Sequence, residues 1–248
     1  MRCGLNLPMS AEQTSRQMRL QGALPSLQLI AIDLDGTLVD SVKDLYEAVN
    51  RMQSSLSRPL VSESDVLNWV GNGIDRLVHR ALTGDMRADA EAALFLQAST
   101  AFRQSYAEIV GHYSRLYPGV LQGLDWMATL NVPLVVVTNK DAVFANDLLQ
   151  QLGIRHYFKY LLGGDDVAVK KPDPEGLLKA ASLCDAAPQR SLLIGDSISD
   201  FKAAIAAGFL CAGMSYGYNH GRTIDSLEES ESPDVMLDSF LALPKALA

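Results

Sequence analysis

The stretch LQLIAIDLDGTL, residues 27–38, decides the fold. Its first half is a short apolar run, the form of a strand buried on both faces. Its second half sets two carboxylates, Asp33 and Asp35, and a glycine where that strand should end. Residues 132–138 (VPLVVVT) and 190–196 (RSLLIGD) repeat the form. Helical patterns follow the three runs at residues 42–54, 142–152 and 200–208. A further helix fits 174–185 and a further strand 209–215. Strands alternating with helices predict an α/β fold, a Rossmann-like doubly wound parallel sheet with helices on both faces.

Between the first strand and the rest, residues 45–116 have another character. Helical periodicity runs through 65–69, 73–82 and 88–110 with no convincing strand, and Pro59 and the Thr83–Gly84 pair mark turns. The expected organisation is a core of residues 26–44 and 117–248, an inserted all-helical cap domain of residues 45–116, and a flexible N-terminal extension, 1–25. Tyr117, Pro118 and Gly119 mark the return to the core.

Bulk composition narrows the function. The chain has 248 residues, 48% hydrophobic and 20% charged, which is ordinary for a globular protein. A net charge of -8 argues against a nucleic-acid partner, which calls for a basic face. No apolar run approaches the roughly 18 residues that span a bilayer, so no membrane partner is expected. Residues 1–25 lack the apolar segment of a signal peptide. Cys3, Cys184 and Cys211 show no CxxC spacing and read as buried free thiols in a reducing cytoplasm. His79, His112, His156 and His220 form no ligand spacing, and Asp141 and Asp147 read as charges on a solvated helix face.

Ligands of parallel sheets bind outside the carboxyl ends of the strands. Those ends carry Asp33, Asp35, Thr138, Asn139, Asp196 and Asp200, and the loop KKPDP, residues 170–174, adds Lys171. Like charges about 4 Å apart repel by about 4 kcal/mol at an effective dielectric near 20. Converging carboxylates therefore call for a cation, and an all-oxygen donor set suits Mg²⁺. Mg²⁺ and Lys171 reduce the charge of the four aspartates from -4 to -1. One proton on an aspartate brings the site to zero, and that proton can serve a leaving group. A carboxylate nucleophile beside an acid two residues on gives a two-step route through an acyl phosphate. Blander readings exist for each piece. DxDG recurs in calcium loops, but Gly36 stands at loop position four rather than six. GDSISD, residues 195–200, also reads as a helix cap made by Asp196 or Ser197. Gly71-Asn72-Gly73 follows no strand, which excludes a dinucleotide fingerprint.

Asp33-Leu-Asp35-Gly-Thr-Leu, Thr138-Asn139, Lys171-Pro-Asp-Pro and Gly195-Asp196-Ser-Ile-Ser-Asp200 resemble, in order, the four motifs of the haloacid-dehalogenase superfamily phosphatases. The resemblance implies Asp33 as nucleophile and magnesium ligand and Asp35 as general acid/base, with its backbone carbonyl on the metal. It implies Thr138 and Asn139 on phosphate oxygens, Lys171 neutralising the transferring group, Asp196 as a direct ligand and Asp200 supporting it. Residues 68–73 (NWVGNG) and 215–221 (SYGYNHG) are similar to segments of the bacterial phosphoglycolate phosphatases within that superfamily. By that likeness Gly71, Asn72 and Gly73 contact the non-phosphate end of a small phosphorylated metabolite. The alternative is that Trp69 and Val70 are cap core and the glycines only turn the chain. Another small substrate such as a sugar phosphate, or a phosphomutase reaction, stays open at this point, as does the oligomeric state.

Overall fold

The computed structural model describes residues 20, 22–218, 227–228 and 231–248. Most of the 1–25 extension, Cys3, Asn219, His220, Gly221 and part of the acidic 225–234 segment lie outside the described residues. Strand β1 (Leu29–Ile32) leads to β2 (Val39–Asp40), which pairs antiparallel with β3 (Arg115–Leu116). The remaining strands are β4 (Leu134–Val137), β5 (Tyr160–Leu162), β6 (Ser191–Gly195), β7 (Leu210–Met214) and β8 (Val235–Leu237). With β1 they form a six-stranded sheet in the order β5-β4-β1-β6-β7-β8, every pairing parallel. The expected doubly wound sheet is present.

The strands read as unbroken apolar runs because both faces are covered. Ile30, Ile32, Leu134, Val136, Leu192 and Ile194 enter one core, and Leu29, Ala31, Val135, Val137 and Leu193 enter the other. Period-two alternation thus divides each strand between two layers. The first layer includes Leu124 of a helix over Val120–Ala128 and Phe144 and Leu148 of a helix over Ala142–Gln151, joined by Phe240 and Leu243. The second takes Leu177 and Ala180 from a helix over Glu175–Leu183 and Phe201 and Ala204 from one over Ile198–Ala207. Fully burying each such leucine or isoleucine contributes about 2 kcal/mol. Cys211 is buried in the second core, whereas Cys184 is half-buried.

Four helices lie between β2 and β3: α1 (Val42–Ser55), α2 (Glu63–Trp69), α3 (Ile74–Thr83) and α4 (Ala92–Ile109). Helix α1 straddles the expected boundary between residues 44 and 45. The sequence reads it both as the helix following the first strand and, from residue 45, as part of the inserted block, and it packs chiefly on α4, with α2 and α3 also against it. Its periodicity marks an apolar face without saying which partner covers it.

The joint between the helices and the sheet is held by buried polar groups. Asp44, fully buried in the first turn of α1, accepts from the Gly111 amide at 2.8 Å, the Tyr113 amide at 2.7 Å and the Ser114 hydroxyl. One carboxylate so ties the outgoing chain to the returning one. Asp141 also departs from its expected solvated role. It is 6% exposed and ion-paired to Arg103 of α4, which also reaches Asp75 of α3 at 3.0 Å. Replacing Asp44 by Ala strands three donors. Asp44→Ala should therefore lower unfolding free energy by about 3 kcal/mol in chemical denaturation. A change under about 0.5 kcal/mol would show that the joint does not depend on it.

Candidate active site

Asp33, Thr138 and Asp196 follow β1, β4 and β6, three neighbouring strands, at the ends where the chain switches direction across the sheet. Together with Asp35, Asn139, Lys140 and Lys171 they line a cavity between the sheet and the helices, walled on the helical side by Leu45, Val70, Gly71, Gly73, Ile74 and Leu77. Asn72 is absent from that lining. Its Oδ1 instead accepts from Arg80 at 2.8 Å, and the same guanidinium donates to the Trp69 carbonyl at 2.5 Å. The side chain expected at the substrate therefore braces the loop from behind. Trp69 and Val70 are also buried in the helical core, so the packing reading of this segment holds alongside its exposure to the cavity.

Lys171 is the centre of the arrangement. Its Nζ donates to Asp33 Oδ1 at 2.7 Å, Asp200 Oδ1 at 2.7 Å and the Val137 carbonyl at 2.8 Å. Burial opposes its charge, but Asp200 and Asp33 more than compensate and hold its pKa above the ordinary lysine value. Asn139 fixes the backbone of this lysine. Its Oδ1 accepts from Lys171 N at 2.9 Å, and its Nδ2 donates to Lys171 O at 3.0 Å and to Gly71 O at 2.9 Å. The side-chain amide of Asn139 is thus engaged by protein.

Asp200 takes part in both readings of residues 195–200, helix cap and site, with Ser197 at the cap position. Its Oδ2 accepts from Ser197 N at 3.1 Å and Ser197 Oγ at 2.6 Å, completing a capping box, while Oδ1 holds Lys171. Asp196 is 2% exposed and accepts from Thr37 Oγ1 at 2.6 Å and the Tyr218 amide at 2.7 Å. Gly36, at φ 92°, lies so close that a Cβ there would fall 2.8 Å from Asp196 Cγ. Gly217 closes on Asp196 in the same way. The segment starting at Ser215 thereby gains a local purpose: Gly217 and the Tyr218 amide wrap Asp196. The Tyr218 hydroxyl also accepts from the Ser41 and Val42 amides at the start of α1.

Lys140 was not singled out in the sequence. It is 5% exposed, and its Nζ lies 3.0 Å from both carboxylate oxygens of Asp35, which also accepts from Ser41 Oγ at 2.5 Å. Burial lowers its basicity, yet Asp35 and Tyr106 raise its pKa further. A signal for it existed: the balance of four carboxylates, one lysine and one divalent ion left a charge of -1. With Lys140 the sum reaches zero without a proton.

Asp33, Asp196 and Asp200 bring carboxylate oxygens within 4.8 Å of one another. Burial pushes the Asp33 pKa up to about 7, against the pull of Lys171, with Asp200 and Asp35 adding to the rise. Burial, then Asp200 and Asp33, raise Asp196 well above the carboxylate range, despite the bonds from Thr37 and Tyr218. Buried, crowded oxygen donors of this kind fit a hard divalent cation. The Asp35 side chain lies apart from this cluster, turned to Lys140.

This geometry defines a hydrolase built at the switch of a parallel sheet, and residues 27–208 match the haloacid dehalogenase-like hydrolases. The chain belongs to that family. It is 45% identical over 221 residues to a phosphoglycolate phosphatase of Nitrosococcus oceani, covering 89% of this chain and 96% of that one. A phosphoglycolate phosphatase of Pseudomonas putida is 45% identical over 90% of this chain and 79% of its own. The crystal structure of a predicted phosphoglycolate phosphatase from Haemophilus somnus superposes with a TM-score of 0.83 at 33% identity, covering 90% of this chain and 99% of that one. Among the described residues, no helix is long and apolar enough to cross a membrane.

The raised Asp33 pKa carries a sign. Between the ordinary value, 3.8, and about 7 the folded state binds more protons than the unfolded one, so stability falls as pH rises through that window. Asn does not titrate. In a chelator at pH 8, Asp33→Asn should exceed wild type in stability by on the order of 2 kcal/mol, and the gap should shrink at pH 5. Equal melting profiles at both pH values would refute the assignment of burial as the dominant influence on Asp33.

Proposed function

We propose that the chain is a magnesium-dependent phosphomonoesterase that hydrolyses 2-phosphoglycolate to glycolate and phosphate through a phospho-Asp33 intermediate. The observation that carries the chemistry is the buried Asp33–Lys171 pair with a second carboxylate, Asp35, two residues on and at the cavity. The names of the relatives support the choice of substrate.

Asp33 attacks phosphorus in line with the ester oxygen. The P–O ester bond breaks, and the departing oxygen takes a proton from Asp35. Asp35 then takes a proton from water, which attacks the phosphorus of the acyl phosphate and regenerates the Asp33 carboxylate. Lys171 holds Asp33 in place and offsets charge on the transferring group. The Thr138 hydroxyl and the Asn139 backbone amide receive phosphate oxygens, since the Asn139 side chain is committed elsewhere. Asp33, Asp196 and the Asp35 carbonyl would hold Mg²⁺, with Asp200 supporting the site through Lys171 and Ser197. When bound, the ion supplies positive charge that offsets the phosphoryl oxygens.

Residues 45–116 act in this reading as a cap that closes over the cavity and excludes water. Gly71 and Gly73 allow its backbone to approach the substrate. Gly73 has φ 86°, and a Cβ there would lie 2.7 Å from Lys170 Nζ and 3.0 Å from the Asn139 carbonyl. A cytoplasmic location suits a reaction on a soluble metabolite.

Phosphate release across a panel of small phosphomonoesters tests the assignment. With Mg²⁺, 2-phosphoglycolate should give the highest kcat/KM, and Gly73→Leu should lower it at least ~10-fold more than that of an aryl phosphate. A sugar phosphate preferred over 2-phosphoglycolate would overturn the substrate, and metal-independent turnover would overturn the mechanism.

A further inference from the structure

We propose that Lys140 determines specificity by binding an anionic group that the substrate carries two bonds beyond its ester oxygen. The inference rests on the phosphomonoesterase reading and identifies which side chain would recognise a carboxylate.

Among the described residues lining the cavity, Lys140 and Lys171 are the only cations. Lys171 has three N–H groups and three acceptors, Asp33, Asp200 and the Val137 carbonyl. It has no donor to redirect. Lys140 differs. Its ammonium is held by a single carboxylate, both oxygens of Asp35 at 3.0 Å, and lies against Tyr106, 4.8 Å from the ring centre. Tyr106 belongs to α4, is fully buried, and its hydroxyl has no hydrogen-bond partner among the described residues. Lys140 therefore stands between the acid/base carboxylate and the helical side of the cleft, held by one carboxylate and an aromatic face. Asp35 keeps the Ser41 hydroxyl at 2.5 Å if the ammonium turns away.

The position has a geometric consequence. An ester oxygen within hydrogen-bond reach of Asp35 brings a group two bonds further along the substrate within reach of Nζ, which is 3.0 Å from both Asp35 oxygens. The wall opposite is apolar, formed by Leu45, Val70, Ile74 and Leu77, and offers no side chain to an anion. A carboxylate entering beside these aspartates needs a cation there, and Lys140, held by one carboxylate where Lys171 is held by two, is the one that can turn to it. A neutral group of the same size has no such requirement. The ligand class is short phosphomonoesters with a carboxylate on the ester carbon.

The test compares 2-phosphoglycolate with 2-hydroxyethyl phosphate, its neutral counterpart, in wild type, Lys140→Met and Lys140→Arg. Both substrates should suffer in Lys140→Met because Asp35 loses a partner, and this common loss cancels in the ratio of kcat/KM values. The ratio itself should fall about 100-fold, largely through KM for 2-phosphoglycolate, and Lys140→Arg should restore part of it. An unchanged ratio in folded Lys140→Met would overturn the proposal, leaving the lysine a support for Asp35. Wild type that hydrolyses neither ester would overturn the phosphatase reading and this proposal with it. If Lys140→Met does not fold, a crystal structure of wild type with 3-phosphonopropanoate decides. Nζ within hydrogen-bond distance of the ligand carboxylate supports the proposal, and Nζ on Asp35 with that carboxylate elsewhere overturns it.

Discussion

Three aspartates crowded at one end of a sheet, Asp33, Asp196 and Asp200, must be compensated, and the contacts of Lys171 are where that compensation starts. Three acceptors surround one buried ammonium, and each comes from a different part of the chain: Asp33 after β1, Val137 in β4 and Asp200 in the helix after β6. No neutral side chain could satisfy two carboxylates at this depth. The lysine thus joins Asp33 to the strands that position it. Its own backbone is fixed by Asn139, which also holds Gly71 of the helical block. The cavity wall at Gly71, Asp33 and the sheet are linked through this one residue.

A second layer of contacts ties the site to the joint between the sheet and the helices. Ser41, immediately before α1, gives its hydroxyl to Asp35 rather than to its own helix, and the Tyr218 hydroxyl accepts from the amides left open. Tyr218 also donates its amide to Asp196. Displacement of α1 against the sheet would therefore be felt at both Asp35 and Asp196. Asp141, paired to Arg103 in α4, adds a further tie between the core and the helices.

The strand ends were legible because a strand covered on both faces is an apolar run, and the polar residue that stops it stands at the ligand edge. That argument located Asp33, Thr138 and Asp196. It does not reach β2 and β3, two residues each, which are too short to show a period. Nor does it reach Lys140 or Asp141, whose charges look solvated until their partners, Asp35 and Arg103, arrive from more than 35 positions away. The same holds for Asn72, where a polar residue between glycines points to a ligand, but Arg80 takes it from behind. Long-range polar pairing decides these cases, and sequence periodicity carries no record of it.

The central claim is that Asp33 becomes phosphorylated during turnover. Quenching the enzyme in mid-reaction and reducing it with borohydride would convert an acyl phosphate at that position to homoserine, detectable by peptide mass spectrometry. The account predicts homoserine at residue 33, dependent on substrate and absent in Asp33→Asn. Reduction at another carboxylate, or turnover with none, would contradict it.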